Sequence, residues 1–246
     1  MGVDGARGGW VAACLYGDSL HDEDPPGWQT RLELFSTVED LVAFRQVAGD
    51  RAAVTIDVPI GLLDSVDYRP CDLEARELLG DRRNSVFAPP ARYMLAVADD
   101  YDAICRLVDK ERKTNPAAKG LSPYAAGITP KVKEVDDFVR AHRDSEEWLW
   151  ECHPELCFQA LAEGPVPPPK ASAAGLIERL RLVRAGFGDA EDQLGAAEWP
   201  AKQAGLSDLL DAYAALASAL QCARGHHEEL GNGERDGERL IMRMVR

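Results

Sequence analysis

Five acidic side chains stand where the sequence pattern calls for something apolar or at the start of a buried helix. Asp4 lies in the first apolar stretch, and Asp57 closes Ala52-Ala53-Val54-Thr55-Ile56 ahead of Val58-Pro59. Glu151 interrupts Trp148-Leu149-Trp150 before Cys152 and shares a strand face with His153, because side chains alternate along a strand. Asp208 and Asp211 open the last long helical pattern, three residues apart and so on one helix face. Brought to about 5 Å, each like-charged pair costs roughly 3 kcal/mol at an effective dielectric near 20. Such a cluster persists near neutral pH only with protons or cations in it. All-oxygen donors suit Mg²⁺ or Mn²⁺. Two such ions about 3.5–4 Å apart can activate a water and stabilise the leaving oxygen of a phosphodiester. The expectation is therefore a two-ion site: Asp4, Asp57 and Asp211 hold metal, with Glu151 and Asp208 as further ligands or a base.

Each acid also has a plainer use. Acids in a first helical turn commonly serve the helix dipole, which fits Asp208. An acid before a proline forms turns, which fits Asp57, and Asp4 near the chain start is easily solvated. Glu151, between Trp150 and Cys152, has the least comfortable plain reading.

These residues need elements to carry them. Residues 1–16 read as two short strands around Gly5-Ala6-Arg7-Gly8-Gly9, followed by a polar, proline-bearing loop over 17–28. Residues 31–36 alternate with period two as a half-buried strand. Ser36, three residues before Glu39, gives a capping-box start to a helix of about ten residues. Residues 52–59 form a buried strand, and 148–153 another, stopped by Pro154. Between them, 65–145 is mainly helical and punctuated by prolines. Helices follow at 172–186 and from Ser207, the expected N-cap, to about Cys222, with a last strand at 240–245. Three strands joined by short turns pair antiparallel, and strands separated by helices pair parallel. The fold class is α/β: a mixed five-stranded sheet flanked by helices, with a helical insertion after the fourth strand. One domain spans 1–225, and 226–246 is a charged C-terminal tail.

The net charge of −14 sits poorly with phosphate binding, which draws on Lys and Arg. Its distribution is uneven: residues 69–133 hold 12 basic and 9 acidic residues, a net of +3, against −17 elsewhere. Arg69, Arg82, Arg83, Arg92 and Lys131 are the candidates for gripping phosphate, since guanidinium forks match its oxygens. Pairing with Asp72, Glu74 and Asp81 on a helix surface is the competing use of Arg82, Arg83 and Arg92, and a solvated face is that of Lys131. The six cysteines lack zinc-finger spacing and read as reduced thiols. No basic, apolar leader and no 18-residue apolar run is visible, so a cytoplasmic protein without membrane contact is expected.

Several strings resemble one family. Gly2-Val3-Asp4-Gly5, Arg7-Gly8-Gly9-Trp10-Val11 and Ile56-Asp57-Val58-Pro59-Ile60-Gly61-Leu62 are similar to the DUF429 family of predicted RNase H-like nucleases. So are Arg69-Pro70-Cys71-Asp72, Arg82-Arg83-Asn84-Ser85-Val86-Phe87, Gly127-Ile128-Thr129-Pro130-Lys131, Glu151-Cys152-His153-Pro154-Glu155 and Asp208-Leu209-Leu210-Asp211-Ala212. The resemblance covers about residues 2–222 and implies a ribonuclease-H-like fold, shared with Holliday-junction resolvases of the RuvC type. Those carry acids on the first and fourth strands and an Asp-x-x-Asp on the last helix, positions that Asp4, Asp57, Asp208 and Asp211 match. It implies a metal-dependent nuclease acting on DNA or RNA. A non-catalytic binding module of the same fold is the rival. An actin-like ATP-using phosphotransferase normally needs two such domains, and no repeat is visible.

Overall fold

The computed structural model describes residues 1–17, 28–49 and 52–246, so most of the expected 17–28 loop lies outside the described residues. Five strands form one sheet: β1 (Gly2–Ala6), β2 (Gly9–Tyr16), β3 (Gln29–Phe35), β4 (Val54–Ile56) and β5 (Leu149–Glu151), in the order β3-β2-β1-β4-β5. β1, β2 and β3 are antiparallel, and β4 and β5 run parallel to β1. The mixed sheet flanked by helices expected from the sequence is present, with the helical segment following β4.

Cα packing divides the chain into two units. The first comprises Met1–Asp57, Glu147–Glu228 and Val245–Arg246, and contains the sheet, α1 (Val38–Ala48), α6 (Pro154–Leu161), α7 (Ala173–Gly186), α8 (Ala190–Ala196) and α9 (Leu206–Arg224). The second comprises Val58–Glu146 and Glu229–Met244, with α2 (Pro70–Leu79), α3 (Tyr101–Thr114), α4 (Pro123–Gly127) and α5 (Thr129–Ala141).

In the first unit α9 is the centre of the core. Its face against the sheet is rich in alanine, and it buries Leu209, Leu210, Tyr213 and Leu216 as well. A helix buried nearly all round belongs in an interior. The core that it shares with Val11, Ala13, Leu32, Cys152, Phe158 and Phe187 lies on one face of the sheet. Two polar pins fix its register: Thr55 Oγ1 donates to the Ala215 carbonyl at 2.6 Å, and the Thr30 and Tyr213 hydroxyls are 2.8 Å apart.

The helix starts differ in detail from the sequence reading. Thr37, not Ser36, caps α1 and accepts the Asp40 N–H. Gly205, not Ser207, is the N-cap of α9, because the Asp208 carboxylate reaches back to the Gly205 N–H at 2.9 Å and sets the start two residues earlier. Proline breaks in the pattern turn out to be first-turn residues of α2, α4, α5 and α6, where a missing N–H costs nothing. The final strand is shorter than expected, Met244–Val245.

In the second unit Val66, Ala88, Ala91, Met94, Ile104 and Ala126 form one apolar cluster. Two arginines within the unit brace it through ion pairs. Arg69 is buried, donates to both Asp72 carboxylate oxygens and also reaches the carbonyls of Ile60 and Gly61. Arg92 donates twice to Asp136 at 2.9 Å and once to Asp236. The C-terminal stretch contributes buried Leu230, Leu240 and Met242 beside its charges.

The closest backbone approach in the first unit is at Gly2. A Cβ there would lie 1.8 Å from Leu216 N and 2.4 Å from the Ala212 carbonyl oxygen. Both are main-chain atoms of α9, so no side-chain rearrangement relieves the clash. Gly2→Ala is expected to cost about 3 kcal/mol or more, or to prevent folding. Urea denaturation of the variant checks this, and a loss below about 1 kcal/mol would show that α9 can shift freely.

Candidate active site

Asp4, Asp57 and Asp211 meet at one end of the sheet, within the first unit. β1 and β4 are parallel neighbours, with Val3 opposite Ile56, and the Asp57 N–H donates to the Val3 carbonyl at 3.0 Å. That pairing sets Asp4 beside Asp57, and their carboxyls share a hydrogen bond. Because Gly2 lets α9 approach the sheet backbone, Asp211 on that helix comes within electrostatic reach of both. Asp4 and Asp211 are buried and Asp57 is partly exposed.

Burial raises the proton affinity of all three, and neighbouring site carboxylates add to the rise at Asp4 and Asp211. Asp4 is pushed well above the usual carboxylate range by burial, then by Asp57 and Asp211, against the pull of Lys170. Asp57 is raised by burial, with His153, Lys170 and the Asp4 hydrogen bond working the other way. Asp211 is pushed up to about 6, again by burial first, with Lys170 opposing and Asp57 adding to the rise. The acids therefore hold protons at a pH where exposed carboxylates have lost them, with the Asp4 carboxyl donating to Asp57.

Lys170 supplies the positive charge in this cluster. Its ammonium donates to Asp211 Oδ2 at 2.7 Å. Burial works against its charge, but Asp211, then Asp4 and Asp57, outweigh that and raise its proton affinity. The residue before it is clamped: the Pro169 carbonyl accepts from both the N–H and the hydroxyl of Ser172, each at 2.8 Å. One residue earlier, the Pro168 carbonyl accepts from Arg179 Nη1 at 2.6 Å. Arg179 is fully buried and pairs bidentately with Glu155 at 2.9 and 2.8 Å. Gly175 makes room for this loop, since a Cβ there would lie 2.1 Å from the Pro169 oxygen.

Of the acids expected in the site, Asp4, Asp57 and Asp211 are brought together. Asp208 lies near enough to act on Asp4, but its oxygens are used at the helix start, by the Gly205 N–H and by the Ser207 hydroxyl at 3.3 Å. Glu151 is not in the cluster. It pairs in register with Ile56, whereas its neighbours Trp150 and Cys152 point to the α9 face with Thr55 and Asp57. Strand alternation sends the buried Glu151 to the other face, which removes it as a ligand beside Asp4 and Asp57. His153 caps α6, with Nδ1 accepting the Glu155 N–H at 3.2 Å.

The basic residues expected to clamp phosphate belong to the second unit, and two of them serve its interior. Arg69 is 1% exposed and held by Asp72, so it cannot reach a ligand without breaking a buried ion pair. Arg92 is held by Asp136 and Asp236, whose side chains are 2% and 0% exposed. Arg82 and Lys131 are half-buried and Arg83 is exposed. Lys170 and the Glu155–Arg179 pair were not anticipated. The four prolines just before Lys170 were the available signal, since they stiffen the loop that presents it.

Among the described residues, no three His, Cys, Asp or Glu side chains stand as a ready-made cage for one ion. The donor chemistry fits a hard divalent ion all the same. Asp4 and Asp57 offer two adjacent carboxylates, the share that a protein commonly gives Mg²⁺ when waters and substrate phosphates complete its shell.

Two predictions follow from these charges. A carboxyl whose proton affinity rises on folding adds stability that is complete below its ordinary value of 3.8 and is lost as pH rises through the folded one. Asp4→Asn, which is neutral and keeps the shape, is therefore expected to melt higher than the wild type at pH 7. That gap should close towards pH 4; thermal melts across pH test it, and a gap independent of pH would refute the burial argument. Arg92→Met strands Asp136 and Asp236 and is expected to cost roughly 3–5 kcal/mol in denaturant unfolding. A loss under about 1 kcal/mol would mean that Arg92 is not structural.

No helix among the described residues is long and apolar enough to cross a membrane. No curated protein and no solved structure matches the chain. The family model described as a protein of unknown function, DUF429, matches residues 2–235. With nearly the whole length covered, and with the motifs around Asp4, Asp57 and Asp211 inside the match, the chain belongs to the DUF429 family.

Proposed function

We propose that this protein is a metal-dependent phosphodiesterase acting on nucleic acid, with its chemistry at Asp4, Asp57 and Asp211. The observation that carries the reading is the convergence of three carboxylates, from β1, the end of β4 and α9, on one sheet face. Natural proteins rarely retain such a cluster without a use, because it costs stability. Asp4 and Asp57 would hold Mg²⁺ or Mn²⁺, which when bound would supply charge to the phosphoryl oxygens and a more acidic water. Asp57, partly exposed and hydrogen-bonded to Asp4, is placed to accept a proton from that water. Asp211 orients Lys170, and Asp208 secures the start of the helix that carries Asp211.

Two observations favour a second reading, a non-catalytic binding module. Arg69 and Arg92 are consumed inside the second unit, and the chain carries a net charge of −14. Both weaken the electrostatic case for gripping a phosphate backbone.

Mn²⁺ titrated calorimetrically into the wild type and Asp57→Asn, followed by cleavage assays on single- and double-stranded DNA and RNA, separates the two. The enzyme reading expects binding in the wild type, its loss in the variant, and a fall in cleavage of at least about 100-fold. A folded wild type that binds no Mn²⁺ and cuts none of these substrates would favour the binding module.

A further inference from the structure

We infer that Lys170 takes the place of one of the two divalent ions expected from the sequence, so that the site binds a single ion at Asp4 and Asp57. The inference rests on the metal-dependent reading above and concerns how its charge is balanced. Lys170 Nζ lies 2.7 Å from Asp211 Oδ2, on the one site carboxylate that comes from a helix. A divalent ion bound by that oxygen would stand beside the ammonium and be repelled by it unless the ammonium were displaced.

Displacement is opposed by how the loop is built. The carbonyls of the two residues before Lys170 are held by Arg179 and Ser172, and Arg179 is itself locked to Glu155 in the interior. The lysine is therefore presented by a rigid loop, and its side chain, 49% exposed, ends on a carboxylate that is 2% exposed.

Charge counting agrees. Asp4, Asp57 and Asp211 fully ionised carry −3, and Lys170 carries +1. One divalent ion brings the sum to zero, whereas two leave an excess of +2. Asp208, which also acts on Asp4, is left out of this sum because the partial positive charge of the helix N-terminus that it caps offsets part of its own. The Lys170 ammonium donates to Asp211, and its half-exposed side chain leaves it open to an incoming anion. A phosphate oxygen is the anion that the ammonium suits, as a point charge of the kind lysine offers.

Calorimetric titration of Mn²⁺ alone into the full chain at pH 7 tests this, with Lys170→Met and Lys170→Arg alongside and thermal melts to confirm folding. One ion per wild-type chain is expected, with a second gained by Lys170→Met and one retained by Lys170→Arg. Two ions in the wild type would overturn the inference while leaving the metal-dependent reading intact. One ion in both the wild type and Lys170→Met would equally overturn the role of Lys170. No ion in the wild type would instead remove the metal-dependent reading, and the inference with it.

Discussion

The sheet and its principal helix touch backbone to backbone at Gly2, and much of the first unit follows from that contact. With no Cβ at Gly2, the Ala212–Leu216 turn of α9 settles directly on β1. The alanines on that face of the helix keep the separation small, and the Thr55 hydroxyl fixes the rotation by donating to the Ala215 carbonyl. Asp211, one residue before the contact, is then carried to the end of the strand where Asp4 and Asp57 lie. A bulkier residue at the crossing would move the helix outward and take Asp211 with it.

The cluster formed in this way is an electrostatic liability held in check by local means. Burial alone pushes each carboxyl towards its neutral form, and proximity adds to it. Three devices offset the cost: a hydrogen bond between Asp4 and Asp57, the Lys170 ammonium on Asp211, and the use of Asp208 as a helix cap. The second device depends on a buried ion pair, Glu155 with Arg179, that holds the loop carrying its partner. Buried pairs of this kind give little net stability and are better understood as fixing geometry. Here the geometry fixed is the placement of one positive charge.

The second unit uses its charges differently. Arg69 and Arg92 are turned into the interior, each against buried carboxylates. Removing either arginine would strand a buried carboxylate, so each pairing serves to fix one arrangement more than to add net stability. The positive balance of residues 69–133 is thus partly internal bracing rather than surface available to an anion.

Much was legible in the sequence because it is local. Strand pairing directions follow from connection lengths, the buried strands from apolar runs, and the N-terminal ends of helices from prolines and small polar residues. Asp4, Asp57 and Asp211 stood out because an acid in an apolar context is conspicuous whatever it touches. Three matters were decided only by tertiary structure. Glu151 looked as good a ligand as Asp57, but strand parity across a β4–β5 register that no single segment encodes sends it to the opposite face. Arg92 looked like a phosphate clamp, but its partners Asp136 and Asp236 lie far along the chain. Lys170, 41 residues before Asp211 in sequence, carried no mark of its own. The type of a residue announces that it has charge to place; which charge it meets is settled by packing between distant segments.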